Sequence, residues 1–114
     1  MIYFVTNKAE EYREYLNPTI KEFDDIRVVD VYNGMRLYNN VIGNSKIQSL
    51  DLETTGLDPY VAKIMLTGIG TPANKFVFGP EVDLTSIYEH IEKRKIILLL
   101  IPLIISFLMF LFMF

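Results

Sequence analysis

Two carboxylates two positions apart form the part of this chain best suited to chemistry. Asp51 and Glu53 close an apolar run, and a turn sequence rich in hydroxyl groups, Thr-Thr-Gly-Leu-Asp-Pro, follows at once. In a β-strand, side chains at positions i and i+2 point to the same face, so both carboxylates can aim at one point. Two like charges held this close are unfavourable unless a cation lies between them. Because hard oxygen ligands of this kind suit Mg²⁺ or Mn²⁺, the pair predicts a divalent-metal site.

The turn after the carboxylates carries groups that can contact a nucleotide. Gly56 has no Cβ, so the backbone there can approach a ligand closely. Thr54 and Thr55 offer hydroxyl and amide hydrogen bonds to a terminal sugar, and Leu57 can wedge against a base. Two metal ions about 4 Å apart, bridged and flanked by carboxylates, can hydrolyse a phosphodiester. The pattern therefore indicates metal-dependent chemistry at a nucleic-acid end.

The motif and the strand after it resemble a known family. The residues that carry the resemblance are 51–59, Asp-Leu-Glu-Thr-Thr-Gly-Leu-Asp-Pro, and 63–70, Lys-Ile-Met-Leu-Thr-Gly-Ile-Gly. They are similar to the first exonuclease motif and second strand of the DEDD 3′–5′ exonucleases, above all the proofreading exonuclease domain of the DNA polymerase I family, phage polymerases included. The resemblance covers about residues 46–95 and implies a partial RNase H-like fold, a mixed sheet flanked by helices.

The resemblance also implies a role for each residue of the motif. Asp51 and Glu53 would be the catalytic metal ligands, for Mg²⁺ or Mn²⁺, in a site that holds two ions in the family. Thr54, Thr55 and Leu57 would contact the 3′-terminal nucleotide of a single-stranded nucleic acid, DNA by preference. The implied reaction is hydrolysis of the 3′-terminal phosphodiester.

The chain departs from the family pattern after the third predicted helix. The family has two further acidic ligands and a Tyr or His that orients the attacking water. Its second motif, roughly Asn-x-x-x-Phe-Asp, falls on a stretch where Phe107 is present but Leu108 replaces the Asp. The third motif would lie beyond Phe114. We therefore expect the isolated chain to be a poor nuclease or none, and an inactive remnant that binds nucleic acid is an alternative.

The remaining elements are predicted from hydrophobic periodicity. Runs rich in β-branched residues predict strands at 2–5, 26–31, 46–53, 62–69 and 75–78. The spacing of the last three is typical of an antiparallel meander. Helical spacing predicts a helix from Ala9 that Asn17 and Pro18 stop, a second over 35–42 capped by Asn33, and a third from about Asp83 to 95, with His90 facing solvent. These elements predict an α/β fold.

Composition limits the classes to which the chain can belong. Its 114 residues are enough for one small domain, and the absence of cysteine excludes a disulfide framework and a thiolate metal site. The net charge of −3 provides no basic surface for nucleic acid, although a metal-dependent nuclease site is itself acidic until its metal binds. Residues 1–5 are too short for the apolar core of a signal peptide, so a cytoplasmic location is predicted.

Charge is distributed unevenly along the chain. The 11 Lys and Arg and the 14 Asp and Glu all lie in residues 1–95, and none lies in residues 96–114. This break predicts three segments: an N-terminal strand and helix region at 1–45, the exonuclease-like part at 46–95, and an apolar tail at 96–114. Such a tail exposes apolar surface, so we expect aggregation without detergent.

The tail has three interpretations. As a helix it would span ~28 Å at ~1.5 Å per residue, close to the ~30 Å bilayer core, and Lys93, Arg94 and Lys95 before it favour a cytoplasmic N-terminal side. This predicts a small tail-anchored membrane protein with an apolar C-terminal helix. Alternatively, residues 96–101 form a buried strand that Pro102 ends, followed by a frame-shifted or truncated end. A helix buried on all sides is the third interpretation.

Overall fold

Six strands and three helices lie within the residues that the computed structural model describes, 1–20, 26–56, 60 and 63–99. In chain order they are β1 (Ile2–Val5), α1 (Ala9–Ile20), β2 (Ile26–Val29), α2 (Val31–Val41), β3 (Ile47–Thr54), β4 (Ile64–Gly70), β5 (Lys75–Phe78), α3 (Thr85–Lys93) and β6 (Ile97–Leu99). The α/β class and the flanking helices are therefore as predicted.

The strands form one mixed sheet in the order β2-β1-β5-β4-β3-β6. The strand β4 pairs antiparallel with both β3 and β5, which confirms the predicted meander. The strand β1 pairs parallel with both β2 and β5, and β6 pairs parallel with β3. The sheet thus takes strands from all three predicted segments.

One face of the sheet holds the hydrophobic core. Its side chains come from alternate positions of β1, β4 and β5, and α2 and α3 add theirs to the same cluster. The rings of Tyr3 and Phe76 stack with centroids 4.7 Å apart, and Tyr38 of α2 meets Phe76 edge-on at 5.8 Å. These packed rings fix α2 against the strands of the sheet.

The opposite face is covered at the β1–β2 end. There Tyr12 of α1 meets Phe4 edge-on at 5.5 Å, and Arg13 Nε donates to the carbonyl oxygen of Val28 at 3.1 Å. Towards β3 and β6 the same face exposes Ile47 and Ile97, at 56% and 57% of their surfaces. The candidate site lies on this open part.

Two predicted helix boundaries are wrong. The helix α1 continues through Asn17 and Pro18 to Ile20, although these residues were expected to stop it. The helix α2 begins at Val31 and is capped by Asp30, because Asp30 Oδ1 accepts from the Asn33 amide at 2.8 Å. Asn33, the predicted cap, lies inside the first turn and donates its side-chain amide to the same carboxylate.

The start of the tail is a strand, where a helix over 96–114 was one expectation. Ile97–Leu99 pair with Ile47, Gln48 and Ser49 of β3, and the Ile97 amide donates to the Lys46 carbonyl at 2.8 Å. These bonds satisfy backbone groups that an unpaired edge of β3 would leave open. Within the described ranges, no helix is both long and apolar enough to cross a membrane. Residues 100–114 lie outside those ranges.

Candidate functional site

Asp51 and Glu53 lie in the C-terminal half of β3 and point to the open face of the sheet. Asp51 stands opposite Gly68 of β4, and Glu53 stands opposite Leu66. Glu53 is exposed, whereas the Asp51 side chain keeps only 15% of its surface accessible. The strand alternation therefore brings both carboxylates to one face, with one nearly enclosed and the other in solvent.

An ion pair crosses the sheet at this point. Asp51 Oδ2 contacts Lys75 Nζ, although Lys75 begins β5, two strands away from β3. Gly68 of the intervening strand β4 makes room for the contact. A Cβ at position 68 would lie 3.2 Å from Asp51 Cβ and 3.5 Å from both Asp51 Oδ2 and Lys75 Cε. The two charges thus meet directly above a residue that has no side chain.

Lys75 is held in place by the turn before it. The β4–β5 turn closes through the Thr71 amide, which donates to the Asn74 carbonyl at 2.8 Å, and the Lys75 amide donates to the Met1 carbonyl at 2.9 Å. A Cβ on Gly70 would lie 2.5 Å from the Asn74 carbonyl oxygen, so only glycine permits this close turn. The backbone of Lys75 is therefore fixed, while its side chain remains 39% exposed.

The second carboxylate oxygen of Asp51 has no partner among the described residues. Asp51 Oδ1 is buried and accepts no hydrogen bond from the residues that the structure describes. A buried acceptor left unpaired is unfavourable, and an ionised one more so. A divalent cation is one group that would satisfy it.

The donor set fits a single hard cation better than a pair. Asp51 and Glu53 offer carboxylate oxygens on one face, and Mg²⁺ keeps several waters when only one or two carboxylates bind it. Among the described residues, no group of three or more His, Cys, Asp or Glu could hold a metal. The described chain thus supplies two ligands and leaves water to complete the coordination.

The threonine hydroxyls of the motif stabilise the turn. Thr54 Oγ1 donates to the Gly56 carbonyl at 2.7 Å. Thr55 bonds twice across the loop to Lys63, since its amide donates to the Lys63 carbonyl and its Oγ1 accepts from the Lys63 amide, both at 2.9 Å. The Thr55 hydroxyl proton and the Thr54 lone pairs remain usable for a ligand. Leu57, the third predicted contact residue, lies outside the described residues.

A β-bulge separates the carboxylates from the threonines. Glu53 pairs with Leu66, but Thr54 pairs with Ile64, so Met65 is the extra residue of β4. Bulges bend a strand and redirect its side chains. The bulge therefore turns the threonine segment relative to the carboxylate pair.

A groove of ≈600 Å³ adjoins the ion pair on the same face. Its lining is mostly apolar and includes Ile2, Ile47, Pro72 and Leu99, with Lys75 among the polar groups. Sequence reasoning missed both Lys75 and this groove. The one available signal was Gly68, since a glycine inside a strand indicates a close approach by another group.

Buried polar contacts position β3 from the core side. The Tyr38 hydroxyl donates to Gln48 Oε1 at 2.9 Å, and Gln48 Nε2 donates to the Ile42 carbonyl at 2.9 Å. Burial raises the pKa of Tyr38 and keeps it a neutral donor. His90 was expected to face solvent. Instead its Nε2 lies 2.6 Å from the Gly43 carbonyl oxygen and donates to it. These contacts tie α2, α3 and β3 together.

A third carboxylate, Glu81, lies on an exposed loop beyond the end of β5. Its Oε1 accepts from Thr6 Oγ1 at 2.6 Å and from the Asn7 amide at 3.2 Å, just before α1. Partial burial acts to raise the pKa of Glu81, but the hydrogen bonds from Thr6 and Asn7 and the charge of Lys8 outweigh it and lower the pKa. Glu81 therefore acts as a structural link between β5 and α1.

Comparison of the chain with protein-family models, with curated proteins and with solved structures found no match. The resemblance to the exonucleases is carried by residues 51–59 and 63–70 alone. What this chain can do chemically follows from the geometry of Asp51, Glu53 and their neighbours.

Proposed function

We propose that the chain is part of a 3′–5′ exonuclease-type hydrolase with an RNase H-like sheet. Its substrate class is the 3′ end of a single-stranded nucleic acid, DNA by preference. One observation carries the proposal: Asp51 is nearly enclosed, has a carboxylate oxygen with no partner in the described ranges, and shares its face of β3 with Glu53. A mixed sheet with flanking helices, as the resemblance implies, supports it.

The metal ligands would be Asp51 and Glu53, for Mg²⁺ or Mn²⁺. A bound ion of this kind would activate a water and stabilise negative charge on the phosphodiester. Asp51 offers Oδ1, which nothing in the described structure occupies, and Glu53 offers an exposed carboxylate from the same face. Asp51 would therefore fix the ion against the sheet, and Glu53 would close the site from the solvent side.

The turn would hold the terminal nucleotide. The Thr55 hydroxyl accepts from the Lys63 amide, and as a hydroxyl it also has a proton that it would donate to a sugar oxygen. The Thr54 hydroxyl donates its hydrogen bond to the Gly56 carbonyl oxygen, and its lone pairs would accept a hydrogen bond from a sugar hydroxyl. Among the described residues, nothing lies within 4 Å of a Cβ placed on Gly56, and Leu57 would contact the terminal base.

We expect low hydrolytic activity, because Asp51 and Glu53 are two acidic ligands and the family has four. The proposal is therefore metal binding and single-strand binding, with hydrolysis slow or absent. Binding to a single strand should weaken as salt rises, because phosphate contacts release counter-ions. Shortening of a 5′-labelled strand in Mg²⁺ is the measurement of residual hydrolysis.

The test of the site is Mn²⁺ binding, read from the signal of free Mn²⁺ in electron paramagnetic resonance. The full chain in mild detergent should bind Mn²⁺ weakly, and Asp51→Asn and Glu53→Gln should each weaken binding by about tenfold or more, since each removes a charged ligand. Glu10→Gln on α1 is the matched control, because Glu10 is exposed and remote from β3. Equal binding by wild type and Asp51→Asn would contradict the proposal.

A further inference from the structure

The ammonium group of Lys75 lies beside Asp51, where the proposed metal ion would bind. It contacts Oδ2, one of the two oxygens that Asp51 could offer to a metal. The other oxygen, Oδ1, has no partner in the part of the chain that the structure describes. The Asp51 carboxylate is therefore neutralised on one side only.

We infer that Lys75 is an internal counter-ion of the metal site, which competes with the divalent cation for Asp51 and so sets its affinity. This inference rests on the proposed function and extends it to the control of the metal. Two cations at one carboxylate repel each other, more strongly where water is partly excluded. The Lys75 ammonium at Oδ2 therefore opposes a divalent cation at Oδ1, and the cation binds more tightly when the ammonium moves away.

The sheet is built to permit this contact and its release. Strands β3 and β5 are two spacings apart, roughly 10 Å, and the long lysine stem covers this distance by passing over position 68, which has no side chain. The Lys75 backbone is anchored to Met1, so the movement is confined to the side chain. With 39% of its surface exposed, the side chain has a direct path to water.

A purely structural ion pair predicts different behaviour. If Lys75 only compensates the buried charge of Asp51, its removal lowers the stability of the fold and leaves metal affinity unchanged. If Lys75 competes with the metal, its removal raises metal affinity, and the metal then restores the stability that was lost. The two roles are therefore separated by measuring both quantities on the same variants.

The experiment measures Mn²⁺ affinity of the full chain in mild detergent, at one pH and low ionic strength. Lys75→Met should bind Mn²⁺ about tenfold or more tightly than wild type, because the competing charge is gone. Lys75→Arg, which keeps the charge, should bind like wild type or more weakly. Lys93→Met removes the same charge from the exposed face of α3 and is the matched control, with an unchanged affinity expected.

Thermal unfolding of the same variants gives the second measurement. Without metal, Lys75→Met should unfold at a lower temperature than wild type, and saturating Mn²⁺ should raise its Tm more than that of wild type. The double variant Asp51→Asn, Lys75→Met should lose this response to Mn²⁺. Lys75→Gln gives the same comparison if the methionine variant does not fold.

The outcomes separate this inference from the proposed function. Equal Mn²⁺ affinities of wild type and Lys75→Met, with binding still lost in Asp51→Asn, would overturn the counter-ion role and leave the site standing. Absence of Mn²⁺ binding in wild type, Lys75→Met and Lys75→Gln would overturn both. Tight binding by Lys75→Met that depends on Asp51 supports both.

Discussion

At the scale of single residues, Asp51 is the central residue because it carries a charge in largely enclosed surroundings, which disfavour charge. Its side chain is 15% exposed, and one of its oxygens is buried with no partner in the part of the chain that the structure describes. Folding tolerates such a charge when a counter-charge compensates it, which Lys75 does in part. Glu53, two positions on, has no such conflict since it is exposed. The two carboxylates of the motif are thus unequal in environment.

Gly68 is the residue on which the ion pair depends. Gly68→Val should destabilise the protein by about 1–3 kcal/mol, because its Cβ would lie 3.2 Å from Asp51 Cβ and its two methyl groups must then fit beside the ion pair. Chemical denaturation in urea measures this loss. Gly56→Ala is the control, since a Cβ there meets no described residue within 4 Å, and it should stay within about 0.5 kcal/mol of wild type. Equal stability of Gly68→Val and wild type would refute this role of Gly68.

At the scale of elements, carboxylates at loop and helix ends organise the fold. Asp30 caps α2, and Asp83 Oδ1 accepts from the Thr85 amide at 2.9 Å at the start of α3. Hydrogen bonds lower the pKa of both groups, first the Asn33 amide at Asp30 and the Thr85 hydroxyl at Asp83. Glu81 joins β5 to α1 in the same way. Each contact is local to one junction, and each needs an ionised carboxylate.

These contacts predict a loss of stability in acid. The folded-state pKa of Glu81 lies below its ordinary 4.5, so the unfolded chain binds the proton first. The stabilisation is present above 4.5 and is lost as the pH falls through the lower folded value. Glu81→Gln should therefore show a shallower fall of Tm than wild type below about pH 4.5.

The partner of Glu81 provides the check on this prediction. Thr6→Val removes the hydroxyl that donates to Glu81 at 2.6 Å while keeping a similar volume at a buried position. It should flatten the same part of the acid profile. Identical profiles for wild type and both variants would show that this junction contributes nothing to the pH dependence.

At the scale of the whole molecule, the sheet is covered unequally. Among the described residues, the helices α2 and α3 complete the core on one face, whereas α1 covers only the β1–β2 end of the other. Ile47, Ile97 and Leu99 remain exposed beside a groove of ≈600 Å³. Contiguous apolar surface of this kind favours association with other apolar groups.

This surface and the uncharged residues 96–114 predict behaviour that fractionation can measure. The chain should aggregate without detergent and stay dispersed with it. As a tail-anchored protein it should also remain with membranes after extraction with alkaline carbonate. Complete release into the soluble fraction would end the anchor interpretation. The strand β6 already uses Ile97–Leu99 in the sheet, and residues in a strand are not available to a membrane helix.

The parts of this fold that follow local patterns were predictable from the sequence. Strands β1 and β5 have the predicted bounds, and the antiparallel meander was expected from the spacing of its strands. The start of α2 was not predictable from the sequence, because Asp30 and Asn33 are both residue types that cap helices well. Only the folded backbone selects Asp30. The sequence also did not predict the role of Gly34. A Cβ at this position would lie 2.5 Å from Val5 Cγ1, so this glycine lies where α2 approaches β1 closely.

The sequence by itself determined that Asp51 and Glu53 share one face, because the side-chain period of a strand is a local property. It also determined the uncharged tail and the hydroxyl-rich turn. Only the tertiary structure decided that Lys75 meets Asp51 above Gly68, that β6 lies beside β3, and that one part of the sheet stays open. The physical reason is that these contacts join residues far apart in the chain. They depend on strand order and register, which local periodicity does not encode.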